Sequence, residues 1–165
     1  MTGTTGRALN TYSAQAAAGR YFLHEQPRNN SSWETHRVKQ MQQIPGAFTI
    51  ECDQCCFGLK GSDDLGEALI QKPTRWITNL AAIDAAIGFR CQNMKSPECD
   101  RHRHCKLLGN RDKEVWRVSE RYPPALVAAI LRALREELVH RRVLHAFDAG
   151  DHCGQPDELQ CWPEL

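Results

Sequence analysis

No stretch of this sequence approaches the roughly 18 consecutive apolar residues that a bilayer-crossing helix requires, and Met1 to Leu9 has neither the basic start nor the apolar run of a secretory leader. A protein that stays inside the cell, in cytoplasm or nucleus, without a membrane partner, is expected. An excess of one charge is missing as well: 21 Lys and Arg against 20 Asp and Glu leave a formal net charge of +1. Without a global basic field to drive nonspecific nucleic-acid binding, any DNA contact has to be local. No internal repeat is visible. A composition of 41% hydrophobic and 25% charged residues excludes collagen-like, coiled-coil and wholly disordered chains. The 165 residues suffice for one core of ordinary size and are too few for two.

Cysteine, by contrast, is plentiful, with eight in the chain. A disulfide framework presupposes a secreted context, which nothing here supplies, so free thiols are expected, some of them on a metal.

The pattern of elements is mixed. Ala-rich Arg7 to Ala18, stopped at Gly19, reads as a helix with a left-handed cap. Tyr21 to Leu23 reads as a short buried strand that leaves its sheet at Gln26-Pro27. A helix is expected from Ser31 or Ser32 to about Gln43. Ala47 to Cys52 and Arg75 to Thr78 read as further strands, with a Gly/Asp-rich loop over Lys60 to Glu67 between them. Ala81 to Phe89 is a short apolar helix. Pro123-Pro124 opens the strongest one, with Leu126, Ile130, Leu134 and Leu138 on a single stripe. The tail over 148–165 carries no periodicity and is expected to be mobile. This order suggests part of an open α/β sheet with a late antiparallel strand.

Four groups of residues carry chemistry. Glu25, just after the first strand, is a carboxylate that a turn can present rigidly into a cleft; a lone Glu at a strand end also occurs for structural reasons alone. Cys55, in Asp53-Gln54-Cys55-Cys56-Phe57-Gly58, is a nucleophile if a nearby cation favours its thiolate. Otherwise Cys52, Cys55 and Cys56 are half-buried residues at a strand terminus, or Cys52 and Cys55 form a redox pair. Lys72-Pro73-Thr74-Arg75-Trp76 is a basic strand entry that can set Arg75 against a phosphate or a base edge, or simply an exposed strand start. Finally, Cys91-x7-Cys99-x2-His102-x-His104-Cys105 packs five N/S donors into fifteen positions. Tetrahedral zinc needs four, and Cys91, Cys99, His102 and His104 are the candidate ligands. The spacing fits no standard finger, and Arg101, Arg103 and Lys106 would surround the ion with positive charge, so a polar, metal-free loop is the alternative.

Taken as a set, Gly19-Arg20-Tyr21-Phe22, Glu25-x-Pro27, Ser32-Trp33, Asp53-x-Cys55-x-Phe57-Gly58, Lys72-Pro73-Thr74-Arg75, Thr78-Asn79, Cys91, His102-x-His104 and Tyr122-Pro123-Pro124-x-Leu126 resemble the C-terminal half of DNA cytosine methyltransferase-like proteins. Such segments occur in phage DNA methylases and inside retrotransposon polyproteins, and the match covers roughly residues 15 to 135. The resemblance implies a half-domain over 1–147 with a partial Rossmann-type sheet of about three strands. It also implies that Glu25 contacts a flipped cytosine and Arg75 steadies the base from a shared cleft. Lys72, Thr74 and Asn79 would then lie along the DNA. The Gly-rich turn that holds S-adenosylmethionine is missing from the chain, and so is the Pro-Pro-Cys nucleophile loop, since Pro123-Pro124 is followed by Ala125. Gln26 stands where the family has Asn or His, and Lys-Pro-Thr-Arg replaces its Gln-x-Arg-x-Arg run. The cofactor would therefore belong to a complete parent enzyme, the missing N-terminal half-domain would be the partner, and the isolated chain is expected not to catalyse methyl transfer. Two further functions stand beside this one: a zinc-stabilised nucleic-acid-binding module using Lys72, Arg75, Arg101 and Arg103, and a small thiol enzyme using Cys55.

Overall fold

Alanine-rich sequence winds into α1 (Gly3–Ala17) and stops where the glycine allows it. Gly19 takes φ +70°, which lets its N–H reach Ala16 O and the Arg20 N–H reach Gln15 O. The computed structural model describes residues 3–92, 102–105 and 120–141. Its other elements are β1 (Leu23–Pro27), α2 (His36–Gln42), β2 (Phe48–Asp53), β3 (Lys60–Asp63), β4 (Gly66–Leu69), β5 (Pro73–Thr78), α3 (Ile83–Ile87) and α4 (Pro124–His140). The tail over 148–165 lies outside the described residues. Among those described, no helix is long and apolar enough to cross a membrane.

The helix expected from Ser31 or Ser32 divides in two. Ser31–Glu34 forms a 3-10 turn, and α2 starts afresh at Thr35, whose hydroxyl accepts the Val38 N–H at 3.5 Å. The loop expected over Lys60 to Glu67 is a hairpin: Gly66 at φ +95° turns the chain, and the Asp63 carboxylate accepts the Leu65 N–H at 3.0 Å.

The main sheet has the order β1-β5-β2, with β5 antiparallel to both neighbours. Trp76 sits opposite Glu25 on one side and Ile50 on the other. β1 and β2 therefore run parallel to each other with α2 crossing between them, but the slot between them is filled by a strand from later in the chain, a split βαβ arrangement. The fold is thus mixed α/β with small antiparallel sheets. The partial Rossmann-type sheet implied by the resemblance requires adjacent parallel strands, whereas every pair of named strands here is antiparallel. The expected late antiparallel strand exists as β5, and it is central.

Because side chains alternate across a strand, successive β5 residues build two cores. Ile77 packs with Phe22, Trp33, Val38, Met41 and Ile44 under α1 and α2. Trp76 packs on the opposite face with Ile50, Ile83, Ile87 and Leu126 under α3 and α4. The α4 stripe does what its spacing predicts: Leu126 is fully buried, and Ile130 and Leu134 pack against the same core. A third, small cluster of Leu59, Ile70 and Cys105 lies beside the β3–β4 hairpin.

Candidate metal centre

Three separate stretches of chain meet at the end of β2. The first is the 3-10 turn Gln54–Phe57, closed by Gly58 at φ +77°, which holds Cys55 buried. The turn is fixed on its neighbours, since Gln54 N–H donates to Lys72 O at 3.1 Å and Ile70 N–H to Leu59 O at 2.7 Å.

The second stretch is the exit of α3. Asp53 N–H donates to Phe89 O at 2.9 Å, and the Asp53 Oδ2 in turn accepts the Arg90 Nε–H at 3.1 Å and the Cys91 N–H at 2.9 Å. These bonds set Cys91 beside Cys55.

The third is the segment 102–105, which runs along β4 through a parallel bridge from Leu69 to His104, with Leu69 N–H on Arg103 O at 3.2 Å and Cys105 N–H on Leu69 O at 2.7 Å. Extended backbone separates its side chains by period two. His102 and His104 fall on one side. Arg103 reaches the Asp63 carboxylate at 2.6 Å, and Cys105 joins the small hairpin core.

One ligand atom each from Cys55, Cys91, His102 and His104 lies within 4.8 Å of the others, so this Cys/His cluster can hold a metal ion. Zinc bonds of about 2.0–2.3 Å at tetrahedral angles place the donor atoms about 3.4–3.8 Å apart. Cys91 Sγ is 3.6 Å from both His102 Nε2 and His104 Nε2, while the two Nε2 atoms are 2.8 Å apart. An ion would need to spread the imidazoles by about half an ångström and to draw in by up to about 1 Å any donor pair at the 4.8 Å limit.

The protonation chemistry fits a ligand set better than a nucleophile. Burial pushes the Cys55 thiol far up, and Cys56, Cys91 and Asp53 add to it, the reverse of what an activated thiol needs. A bound dication would displace that proton outright. Burial and the neighbouring His102 ring lower the pKa of His104, against a weaker opposing pull from Asp53. That favours the neutral imidazole that binds metal. Cys52 is not part of the cluster: burial raises it to about 11, and its sulfur accepts the Trp76 indole N–H at 3.3 Å. The described cysteines form no disulfide.

Of the ligands expected from sequence, Cys91, His102 and His104 are brought together, while Cys99 lies outside the described residues, as does the basic neighbour Arg101. Cys55 takes the fourth corner. Its local signal was the run Cys52-x-x-Cys55-Cys56 before Gly58, but no sequence spacing links it to a partner so far along the chain.

The other candidate residues do not converge. Glu25 shares a row with Trp76, so Arg75, the next residue, projects from the opposite face of the sheet. Glu25 Oε2 accepts the Tyr122 hydroxyl at 2.8 Å on the α4 side. Arg75 donates to Glu51 Oε1 at 3.0 and 2.7 Å and stacks 5.2 Å from the Trp33 ring on the α2 side. Glu51 also holds Arg90 and, at 3.9 Å, Arg28. The shared cleft that the carried-over roles require is not formed by these two residues. Thr74 is fully buried and bonded to Gln54 and Lys72 O. Asn79 clips the chain before β1, accepting from Phe22 N–H and donating to Arg20 O, each at 3.0 Å. Lys72 lies 5.4 Å over the Tyr122 ring. Comparison with protein-family models, with curated proteins and with solved structures finds no match to this chain.

Proposed function

We propose that this chain is a zinc-stabilised binding module in which Cys55, Cys91, His102 and His104 hold one structural Zn²⁺. The observation that carries the reading is the convergence of four N/S donors from three chain segments within 4.8 Å. A set of two thiolates and two imidazoles suits zinc and disfavours the oxygen-seeking Mg²⁺ and Ca²⁺. Four protein ligands fill a tetrahedral shell and leave no open position for substrate, which is the signature of a structural site. Two thiolates also cancel the charge of the ion, which answers the objection that basic neighbours raise against a buried cage.

The test is metal content of the purified full-length chain. About one zinc per chain is expected, lost in Cys55→Ser and kept in Cys56→Ser. Absence of stoichiometric zinc from the wild type, or its retention in both Cys55→Ser and Cys91→Ser, overturns the reading.

A nucleic-acid partner draws its support from Lys72 and Tyr122. An aromatic residue that is 40% exposed beside a lysine is the combination that single-stranded nucleic acid uses, the one for stacking and the other along the backbone. Loss of oligonucleotide binding in Tyr122→Ala, with zinc content unchanged, is the expected result. Equal binding by the variant would remove this partner.

A further inference from the structure

Asp53, the last residue of β2, stands two positions before Cys55 and is buried almost completely, at 1% exposure. A carboxylate in such a place is costly unless every lone pair has an answer. Oδ2 has two, the Cys91 backbone N–H at 2.9 Å and the Arg90 Nε–H at 3.1 Å. Oδ1 is equally buried and has no hydrogen-bond partner among the described residues. The carboxylate is tied to the cluster directly, through the Cys91 N–H at 2.9 Å, and Cys55 follows it by two residues. The histidines converge through Nε2. An imidazole bound to metal through Nε2 carries its proton on Nδ1, and metal-bound histidines almost always donate that N–H to a carboxylate, carbonyl or water.

We propose that Asp53 is the positioning residue of the metal centre: one carboxylate oxygen holds Cys91 through its backbone N–H, and the other accepts the Nδ1–H of His104 when the metal binds. The inference rests on the zinc reading above. It explains why a single buried carboxylate belongs at this point in the chain. The orphaned oxygen finds its donor only in the metal-bound state, and the site is electrically balanced, with two thiolates against the ion and Arg90 against Asp53. It also joins two ligands that come from different segments, Cys91 and His104, through one side chain.

The test compares the wild type with Asp53→Asn, which is nearly isosteric and can still accept the Cys91 N–H. Zinc affinity is read by competition with a chromophoric chelator. A 10- to 100-fold loss is expected, with partial recovery in Asp53→Glu. If Asp53→Asn does not fold, the zinc-loaded wild type decides the matter by histidine nitrogen NMR. There the His104 ring must show metal on Nε2 and a slowly exchanging proton on Nδ1. A wild type that takes up no zinc removes the zinc reading and this inference with it. A wild type that binds zinc while Asp53→Asn binds equally well, or whose His104 Nδ1 proton exchanges freely, overturns the role of Asp53 and leaves the zinc site standing.

Discussion

Stripping the metal is the perturbation whose size follows most directly from the geometry. Cys55 and Cys91 close a loop of about 36 residues and Cys91 and His102 one of about 11, and permanent cross-links over such spans would take about 4 and 3 kcal/mol of entropy from the unfolded chain. About 7 kcal/mol is therefore the ceiling on what the metal contributes by tethering. What an experiment reads is the linkage: once free zinc exceeds its dissociation constant, each tenfold increase adds about 1.4 kcal/mol to folding. For a chain of this size that is about 3–6 °C in melting temperature per tenfold step. Thermal unfolding in a series of zinc buffers should show this slope until the ceiling is neared, and Cys55→Ser should flatten it. A melting temperature independent of free zinc, or the same slope in Cys55→Ser, would refute the four-ligand reasoning.

Three further predictions concern the scaffold. Leu126 is fully buried against Ile83 and Ile87, so Leu126→Ala should cost about 2–5 kcal/mol in urea unfolding, and a loss under about 1 kcal/mol would show that α4 is not seated there. Tyr21 donates to Glu137 Oε1 at 2.7 Å, so Tyr21→Phe should cost about 1–2 kcal/mol near neutral pH. Burial, and then Glu137, raise the phenol to about 12, so its support is complete below the ordinary value of 10.0 and fades as pH rises through about 12. The same bond lowers Glu137 below its ordinary 4.5, so that share is present above 4.5 and fades in acid; a Tyr21→Phe penalty constant from acid to strong alkali would contradict both. Burial also lowers His24 from its ordinary 6.5. The unfolded state then binds more protons, and the metal-free wild type should lose stability below 6.5 faster than His24→Leu, a difference that parallel pH curves would exclude.

The local elements were legible because their causes are local. Gly19 ends α1, Pro124 starts α4, and the spacing of Leu126, Ile130 and Leu134 marks a buried stripe. Pro27 ends the first strand, as its sequence predicts, and as the last residue of an edge strand it still pairs with Thr74; the strand itself begins only at Leu23, not at Tyr21. The hairpin over Lys60 to Leu69 escaped because its residues alternate weakly and are mostly solvent-facing, so no apolar period marks it. Strand order was beyond reach: nothing in Pro73–Thr78 itself states that it inserts between two earlier strands. The same limit hid Cys55 from the candidate cluster, since the turn that carries it is set beside Cys91 by the Asp53, Phe89 and Arg90 bonds that the tertiary fold creates. Glu25 and Arg75, joined by the resemblance, lie on opposite faces because side chains alternate along β5.

The strand that pairs with both others is the last of the three to leave the ribosome. Until Thr78 has emerged, β1 and β2 have no partner for their backbone groups, because neither bonds the other in the finished sheet. β1 waits about 50 residues for its partner and β2 about 25, and helices α1 and α2, complete by then, are the cover available to them. Long-range pairing of this kind slows folding, and the histidines arrive later still. Assembly therefore has a direction: the sheet closes from its middle, and the Cys/His cluster comes together on a structure whose order is already set.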